Sequence, residues 1–546
     1  MHYDLVIIFY FCSVNKKLGN MALSKRIYTA GRSDFKMIRE RNCIYVDKTE
    51  LIYDLTHESQ YVFLSRPRRF GKTLLCSTLQ YYFEGRKELF EGLRMAELET
   101  EWKHYPVMRF DISACKNQAD MAGVVRSLEL YLERYEKLYG RNENENSPGK
   151  RLAGLIERSH EQTGLPAVVI IDEYDSVLLE YLDKPGQLEE VRRILQEFYQ
   201  TLKICDAHLQ FAFITGITKF SQLSIFSTIN NLRNISMKPK YAALCGFTEE
   251  ELHAVFDPDV AMLATQYGCS KEEMYAKLKQ KYDGYYFTSA AQNVYNPFSL
   301  TNAFMDMDLS DYWFTSGTPS YLFSQMKRFN TNVLSLSQLE VSANDFDVPT
   351  EAMTTALPLL YQSGYLTIKR YDREGDVYTL DFPNAEVKVG FLQSFMQMML
   401  NINILPDGFA GKFYAHLLRH ETDAAMQDMK AFFASIPYLE NGSRELDDLT
   451  KLEAYYEVIF FIVFSVINCR TYTQVKSVRG RCDVVVFLPD ATYVMELKID
   501  RPAAEALEQI DTKGYAIPYA AEGKRIVKIG VSFSSATRTV EDYLIK

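Results

Sequence analysis

The sequence has little of what marks a secreted or membrane-spanning chain. Its nine cysteines are scattered from Cys12 to Cys482, with an odd count and no C-x-x-C pair. That distribution argues against a disulfide framework and reads as reduced, buried thiols in a cytoplasmic protein. Long apolar runs are also missing. Leu5–Cys12 and Val458–Ile467 are the longest, and both fall well short of the roughly 20 residues a spanning helix needs. No basic segment precedes the first run and no clear small-residue cleavage site follows it, which argues against a signal peptide. Residues 1–26 read instead as a tail or a start-site artefact, with Met21 opening a more ordinary polar sequence. Repeats and low-complexity tracts are absent. Positive charge is in deficit: 61 Lys and Arg against 71 Asp and Glu give a net charge of −10. No global field draws this chain to nucleic acid, so any such contact must come from a local patch. Tryptophan is scarce, at two residues, whereas 37 Tyr and 34 Phe supply large, well-filled cores. With 47% apolar and 24% charged residues the chain is neither disordered nor fibrous. Its 546 residues exceed what one core holds and suggest about three domains.

Residues 27–237 alternate short apolar runs with helical patterns. Tyr61–Ser65, Val107–Ser113, Ala167–Glu173 and Phe211–Gly216 read as strands, separated by helices over Thr73–Phe83, Met121–Tyr139 and Leu188–Ile204. This order predicts an α/β unit: a parallel sheet with helices on both faces. The polar stretch Arg141–Lys150 reads as a surface loop. Residues 238–408 read as mainly helical. Thr248 and Glu251 form a capping-box pattern and Lys271–Tyr282 is amphipathic. Ala352–Ser363 followed by a hairpin turning near Gly375 is compatible with a winged-helix element. Residues 409–546 change pattern again: helix Leu452–Ile467, hairpin Arg481–Ile499, helix Ala503–Ala516 and strand Ile526–Phe533.

Two motifs carry chemistry. The first strand runs into Ser65–Thr73, SRPRRFGKT, and then a helix. Gly71-Lys72-Thr73 ends a Walker A-type loop, in which backbone N–H groups and a helix N-terminus surround phosphate oxygens. The lysine reaches the β/γ-phosphates and the hydroxyl binds Mg²⁺. Arg66 stands where the motif's first glycine would be. Arg68, Arg69 and Phe70 complete the loop, and sequence does not decide whether its arginines line phosphates or solvate the loop. Downstream, AVVIIDEYD places Asp172 and Glu173 at a strand end, the former for Mg²⁺ and the latter to polarise a water; a strand ending in acids also serves as a capped edge. Thr215, ending the strand FAFIT, either senses a γ-phosphate or satisfies backbone groups. The strings RPRRFGKTLL, IIDEYD, GITKFSQLSIFSTINNL and YDGYYF…VYNPFSL resemble the bacterial AAA-ATPase-like family, whose members usually carry a C-terminal nuclease-like domain. The resemblance runs from about Ile27 onward. It implies an ATP-binding P-loop NTPase domain whose loop commonly has this same R-P-R-R-F-G-K form.

The second motif is GRCDVVVFLPDATYVMELKID. Residues two apart on a strand share a face, so Glu496 and Lys498 project together, with Asp483 across the hairpin. Two carboxylates there can hold one Mg²⁺ or Mn²⁺ while the ammonium stabilises charge at an attacked phosphodiester. A cross-strand salt bridge on a solvated face accounts for the same residues without chemistry. The helix–hairpin–helix–strand order resembles the PD-(D/E)XK nuclease fold, which places its carboxylates and lysine on this hairpin. That resemblance adds Gln509 on the following helix and an acid from the preceding one. Glu453 fits the family's E-x-x-Y-H pattern best, although Glu457 replaces the histidine; being one turn apart, either can face the hairpin. Lys476, Arg479 and Arg481 are either a phosphate-contacting patch or an exposed basic loop. The expectation is an ATP-binding P-loop protein, an ATPase, coupled to a Mg²⁺-dependent nuclease acting on DNA or RNA, with no membrane association. The alternative is an ATP-dependent switch whose nuclease-like domain only docks a protein partner or a second copy.

Overall fold

A computed structural model describes residues 26–29, 31–118, 120–219, 231–289, 292–316, 320–400, 409–436, 449–467, 469–477 and 479–546. The run Leu5–Cys12, nearly all of the expected tail and most of the string Gly216–Leu232 lie outside them.

The first sheet is wholly parallel. Its strands are β1 (Tyr61–Ser65), β2 (Val107–Asp111), β3 (Ala167–Asp172), β4 (Leu209–Gly216) and β5 (Arg233–Asn234), ordered β2-β3-β4-β1-β5. β1 and β3 are buried along their whole length and β4 at all but one position, as continuous apolar runs require. The edge strand β2 alternates instead. The crossovers include α1 (Lys72–Phe83), α2 (Met121–Tyr139), α3 (Pro148–Thr163) and α4 (Pro185–Ile204). α3 begins inside the stretch expected as loop. The Ser147 hydroxyl accepts from the Lys150 N–H and Pro148 occupies the first turn, so SPGK is a helix start rather than a turn.

The middle region opens with α5 (Glu249–Tyr267), where the Thr248–Glu251 capping box is formed, and α6 (Lys271–Tyr282). Asn296-Pro297-Phe298 caps and starts α7 (Pro297–Asp306); Asn296 Oδ1 accepts from the Phe298 and Ser299 N–H groups. The helix before the hairpin spans only Leu357–Gln362. The hairpin gains a third strand, giving an antiparallel sheet of β6 (Leu339–Val341), β7 (Thr367–Asp372) and β8 (Val377–Asp381) in the order β6-β8-β7.

Next come α8 (Ala385–Leu400), the helices Phe409–Leu418 and Thr422–Ser435, and α9 (Leu449–Val466). The C-terminal sheet follows: β9 (Arg470–Ser477), β10 (Gly480–Phe487), β11 (Ala491–Ile499), α10 (Ala503–Lys513), β12 (Arg525–Phe533) and β13 (Val540–Ile545), ordered β13-β12-β11-β10-β9. Only β11 and β12 pair in parallel, joined by α10. The apolar stretch in α9 is buried between α8 and this sheet. No described helix is long and apolar enough to cross a membrane. One apolar cluster runs unbroken from the first sheet through α8 and α9 into the second; a smaller one fills α5–α7 and another lies under α10.

Trp313 sits where these parts meet. Its backbone N–H donates to Glu386 Oε1 (2.7 Å), its indole Nε1 donates to the Arg68 carbonyl (3.3 Å), and its ring packs edge-on to Tyr365. Glu386 is buried, and that burial pushes its carboxyl up to about 7. The Trp313 N–H, Ser299 and Lys281 oppose the shift while Asp311 adds to it. A carboxyl raised by folding is protonated more readily in the folded than in the unfolded chain. Its ionisation therefore destabilises the fold as pH rises from about 4.5 to 7. Glu386→Gln removes that cost. The thermal midpoint of this variant should match wild type near pH 5 and exceed it at pH 8, by up to about 3 kcal/mol of stability, as read by calorimetry at both pH values.

Candidate nucleotide and metal sites

The phosphate loop is built as the sequence suggests, but its side chains are spent differently. Gly71 adopts φ +90°, in the left-handed region that glycine tolerates, and a Cβ there would meet nothing within 4 Å. The open space it faces is a cavity of about 450 Å³, walled by Arg68–Leu75, Glu173, Ile44–Val46, Lys48, Phe247 and Pro297–Phe298. α1 points its N-terminus into this cavity, an arrangement suited to anionic oxygens. Lys72 is buried; its ammonium donates to the carbonyls of Arg66 and Pro67 and lies 3.5 Å from Glu173.

Arg66 neither lines phosphates nor solvates the loop. Its guanidinium is only 2% exposed and donates to the carbonyls of Ser65, Ser236 and Tyr241 at 2.9, 2.7 and 3.2 Å. It also lies 4.2 Å over the Phe287 ring. Arg69, at φ +71°, stacks 4.2 Å over Phe298. The Phe70 side chain is buried edge-on against Tyr285 and Phe287, which leaves only its backbone to the cavity. Gly364 at φ +86° lets the chain approach the loop from the other side, since a Cβ there would sit 2.6 Å from Pro67. The strings YDGYYF and NPF thus hold the loop's shape.

Sheet order sets the rest of this site. β4 lies between β1 and β3, so Asp172, Glu173 and the loop converge at one end of the sheet. Asp172 is fully buried, and neither of its oxygens is satisfied by a hydrogen bond. Burial, with Glu173 beside it, pushes its carboxyl up to about 6 against the pull of Lys72 and Thr73. An unsatisfied carboxylate next to a threonine hydroxyl fits a divalent cation. Glu173 borders the cavity at φ +53°, a strained conformation of the kind that clusters at functional sites. Thr215 does not line the cavity; its hydroxyl donates to the Leu64 carbonyl at 2.8 Å, so the structure gives it the backbone-satisfying role.

The second cluster gathers at the end of the C-terminal sheet. Val484 pairs with Met495, and the same register sets Asp483 opposite Glu496. Asp483 Oδ2 accepts from the Leu497 N–H at 2.8 Å. Glu496 Oε1 accepts from Lys498 Nζ at 3.0 Å and from Gln509 on α10, while its Oε2 is buried without a partner. Exposures of 5% for Asp483 and 1% for Glu496 exclude a solvated surface pair. The structure also resolves the choice between the two helix acids: both face the hairpin. Oxygens of Glu453, Glu457 and Asp483 lie within 4.8 Å of one another. The closest carboxylate set therefore differs from the expected Asp483–Glu496 pair, with Glu496 held alongside by Lys498 and Gln509. Gln474 is an addition that sequence gave no sign of; at φ +51°, its amide donates to Glu457 and, at 3.4 Å, to Asp483. Burial followed by the charge of Asp483 pushes Glu457 up to about 8. Asp483 and Glu496 are raised by burial as well, against the pull of Lys498. Acids crowded this closely out of water fit a divalent cation by charge and by oxygen chemistry.

Comparisons with known proteins match the two regions that carry these clusters. Residues 29–226 match a family model described as "Predicted AAA-ATPase", and residues 451–543 match one described as the PD-(D/E)XK nuclease superfamily. An "Uncharacterized protein in vnfD 5'region" of Azotobacter chroococcum mcd 1 is 33% identical over 537 residues, covering 96% of this chain and 99% of that protein. The fold is thus a P-loop unit joined through a middle region to a nuclease-like one. The chain belongs to the AAA-ATPase-like family that carries a C-terminal PD-(D/E)XK nuclease superfamily domain.

The two arginine roles predict losses of different size. Arg66→Met removes three buried hydrogen bonds, although the Tyr241 carbonyl keeps the Leu244 N–H, and should cost roughly 2–4 kcal/mol. Arg69→Met loses one exposed stacking contact, worth about 0.5–1 kcal/mol. Thermal unfolding of the nucleotide-free variants reads the difference.

Proposed function

We propose that this chain binds and hydrolyses ATP at the first site and cleaves nucleic acid at the second. The observation that carries this reading is the convergence of Glu453, Glu457, Asp483, Glu496, Lys498 and Gln509 at one end of the C-terminal sheet. At the first site Lys72 and the α1 N-terminus bind the triphosphate, Thr73 and Asp172 would hold Mg²⁺, and Glu173 orients a water. At the second, Glu453, Glu457 and Asp483 would hold Mg²⁺ or Mn²⁺, with Glu496 adjacent. A divalent cation supplies Lewis acidity at a phosphoryl oxygen and a more acidic bound water. Lys498, held to the carboxylate face by Glu496, stabilises negative charge on the attacked phosphodiester. Gln509 fixes the Glu496 rotamer.

The β9–β10 hairpin supports a polyanionic substrate. Lys476 and Arg481 are directly opposed across the ladder, with Arg479 in the turn, and all three are exposed. Like charges set opposite each other are unfavourable unless a polyanion lies across them. None of the three forms an ion pair among the described residues. Arg481 also acts electrostatically on Asp483 and Glu457, which supports a role for the hairpin beside the acid cluster.

The test incubates purified protein with supercoiled, linear and single-stranded DNA and with RNA, in Mg²⁺ or Mn²⁺, with and without ATP. Metal-dependent cutting should fall at least 100-fold in both Lys498→Ala and Glu496→Ala, and ATP hydrolysis should fall as far in Lys72→Ala, in line with the loss of transition-state charge stabilisation. Cutting that persists in both C-terminal variants contradicts the nuclease assignment. ATP binding with no cutting of any substrate would instead favour a switch whose nuclease-like domain serves docking.

A further inference from the structure

A series of contacts runs from the phosphate loop towards the second cluster through Trp313 and Glu386. The indole of Trp313 donates to the carbonyl of Arg68, inside the phosphate loop. The Trp313 backbone N–H is held by Glu386, in the first turn of α8. α8 packs along α9, with the Lys388 ammonium 5.9 Å over the Phe461 ring. Phe461 lies one helical turn beyond Glu457, and α9 carries both Glu453 and Glu457 into the acid cluster. Trp313, Val387 of α8 and Phe461 of α9 all belong to a single apolar cluster. Close-packed interiors pass on displacement as rigid-body shifts of whole helices rather than absorbing it. Glu453 and Glu457 also sit on one face of α9, so a small slide or rotation of that helix moves both carboxylates relative to Asp483 on β10.

We propose that Trp313 and Glu386 are positioning residues that couple the phosphate loop to the helix bearing Glu453 and Glu457, so that occupancy of each site sets the affinity of the other. The proposal rests on the two-site reading above and adds a route between the sites. Coupling through a shared element is reciprocal: a change at the C-terminal cluster must alter nucleotide affinity by the same factor as nucleotide alters metal affinity there. Trp313 and Glu386 supply the hydrogen bonds of this route, so removing either one uncouples the sites without touching the ligands of either.

The experiment uses the full chain in constant excess Mg²⁺, with N-methylanthraniloyl-ATP as the fluorescent probe. Trp313→Phe keeps the ring but loses the indole N–H, and should weaken nucleotide binding about two- to tenfold, the range for one hydrogen bond. Asp483→Asn, which disturbs only the C-terminal cluster, should shift nucleotide affinity at least about fivefold in an otherwise unchanged chain. That shift should vanish in Glu386→Ala and survive in Glu386→Gln, whose amide oxygen still accepts from the Trp313 N–H. A cooperative thermal transition for Trp313→Phe, and a midpoint for Glu386→Gln at or above that of wild type, show that the fold is retained. In a Trp102→Phe background, the emission of Trp313 should change when nucleotide binds. If wild type binds the probe but Asp483→Asn leaves its affinity unchanged, or the shift persists in Glu386→Ala, the coupling is overturned and the two-site reading stands. If wild type does not bind the probe at all, the two-site reading falls and takes the coupling with it.

Discussion

Both sites depend on carboxylates held out of water with too little positive charge around them. Asp172 is buried with neither oxygen satisfied, and Glu457, Asp483 and Glu496 crowd together at the end of the second sheet with Lys498 as their paired cation. Burying an unpaired acid costs several kcal/mol unless something compensates, so the group takes up a proton or a cation. Each of these carboxyls is accordingly raised by burial before any other cause. The surrounding fold is strong enough to hold them there: strands buried on both faces, and one apolar cluster continuous from the first sheet to the second.

The middle region shapes the phosphate loop as much as the P-loop unit does. Phe287 lies under the Arg66 guanidinium, Tyr285 and Phe287 enclose Phe70, Phe298 carries Arg69, and Trp313 holds the carbonyl of Arg68. Four successive loop positions, apart from Pro67, are thus anchored outside their own domain. Losing the first glycine of the Walker-type motif makes sense in that setting. A loop free to choose its own path needs glycine there; a loop pinned by a buried arginine on three carbonyls does not. Such a loop cannot change shape without disturbing the middle region, which makes the middle region a natural place to read nucleotide state.

Contiguous signals were legible from sequence. The strand–G-K-T–helix, the apolar strand ending in Asp172-Glu173, and Glu496-x-Lys498 each lie within a few residues, and local periodicity placed them correctly. What escaped depends on distant partners. Arg66 finds its carbonyls about 170 residues away, and Gln474 reaches the acid cluster through a local left-handed kink. Edge strands β9 and β13 went unseen because an exposed edge carries little apolar alternation. α3 and α7 were hidden behind Ser-Pro and Asn-Pro pairs, which start helices here but read equally well as turns. Glu457 was visible by its spacing, but only the packing of α9 against the hairpin shows that it joins Glu453 rather than replacing it.

Titrating Mn²⁺ into the chelator-treated, nucleotide-free chain tests the buried-carboxylate claim most directly, with free Mn²⁺ followed by electron paramagnetic resonance. The account predicts one site that is lost in Asp483→Asn and in Glu457→Gln and kept in Asp172→Asn. Failure to bind Mn²⁺, or binding indifferent to Asp483, would contradict it.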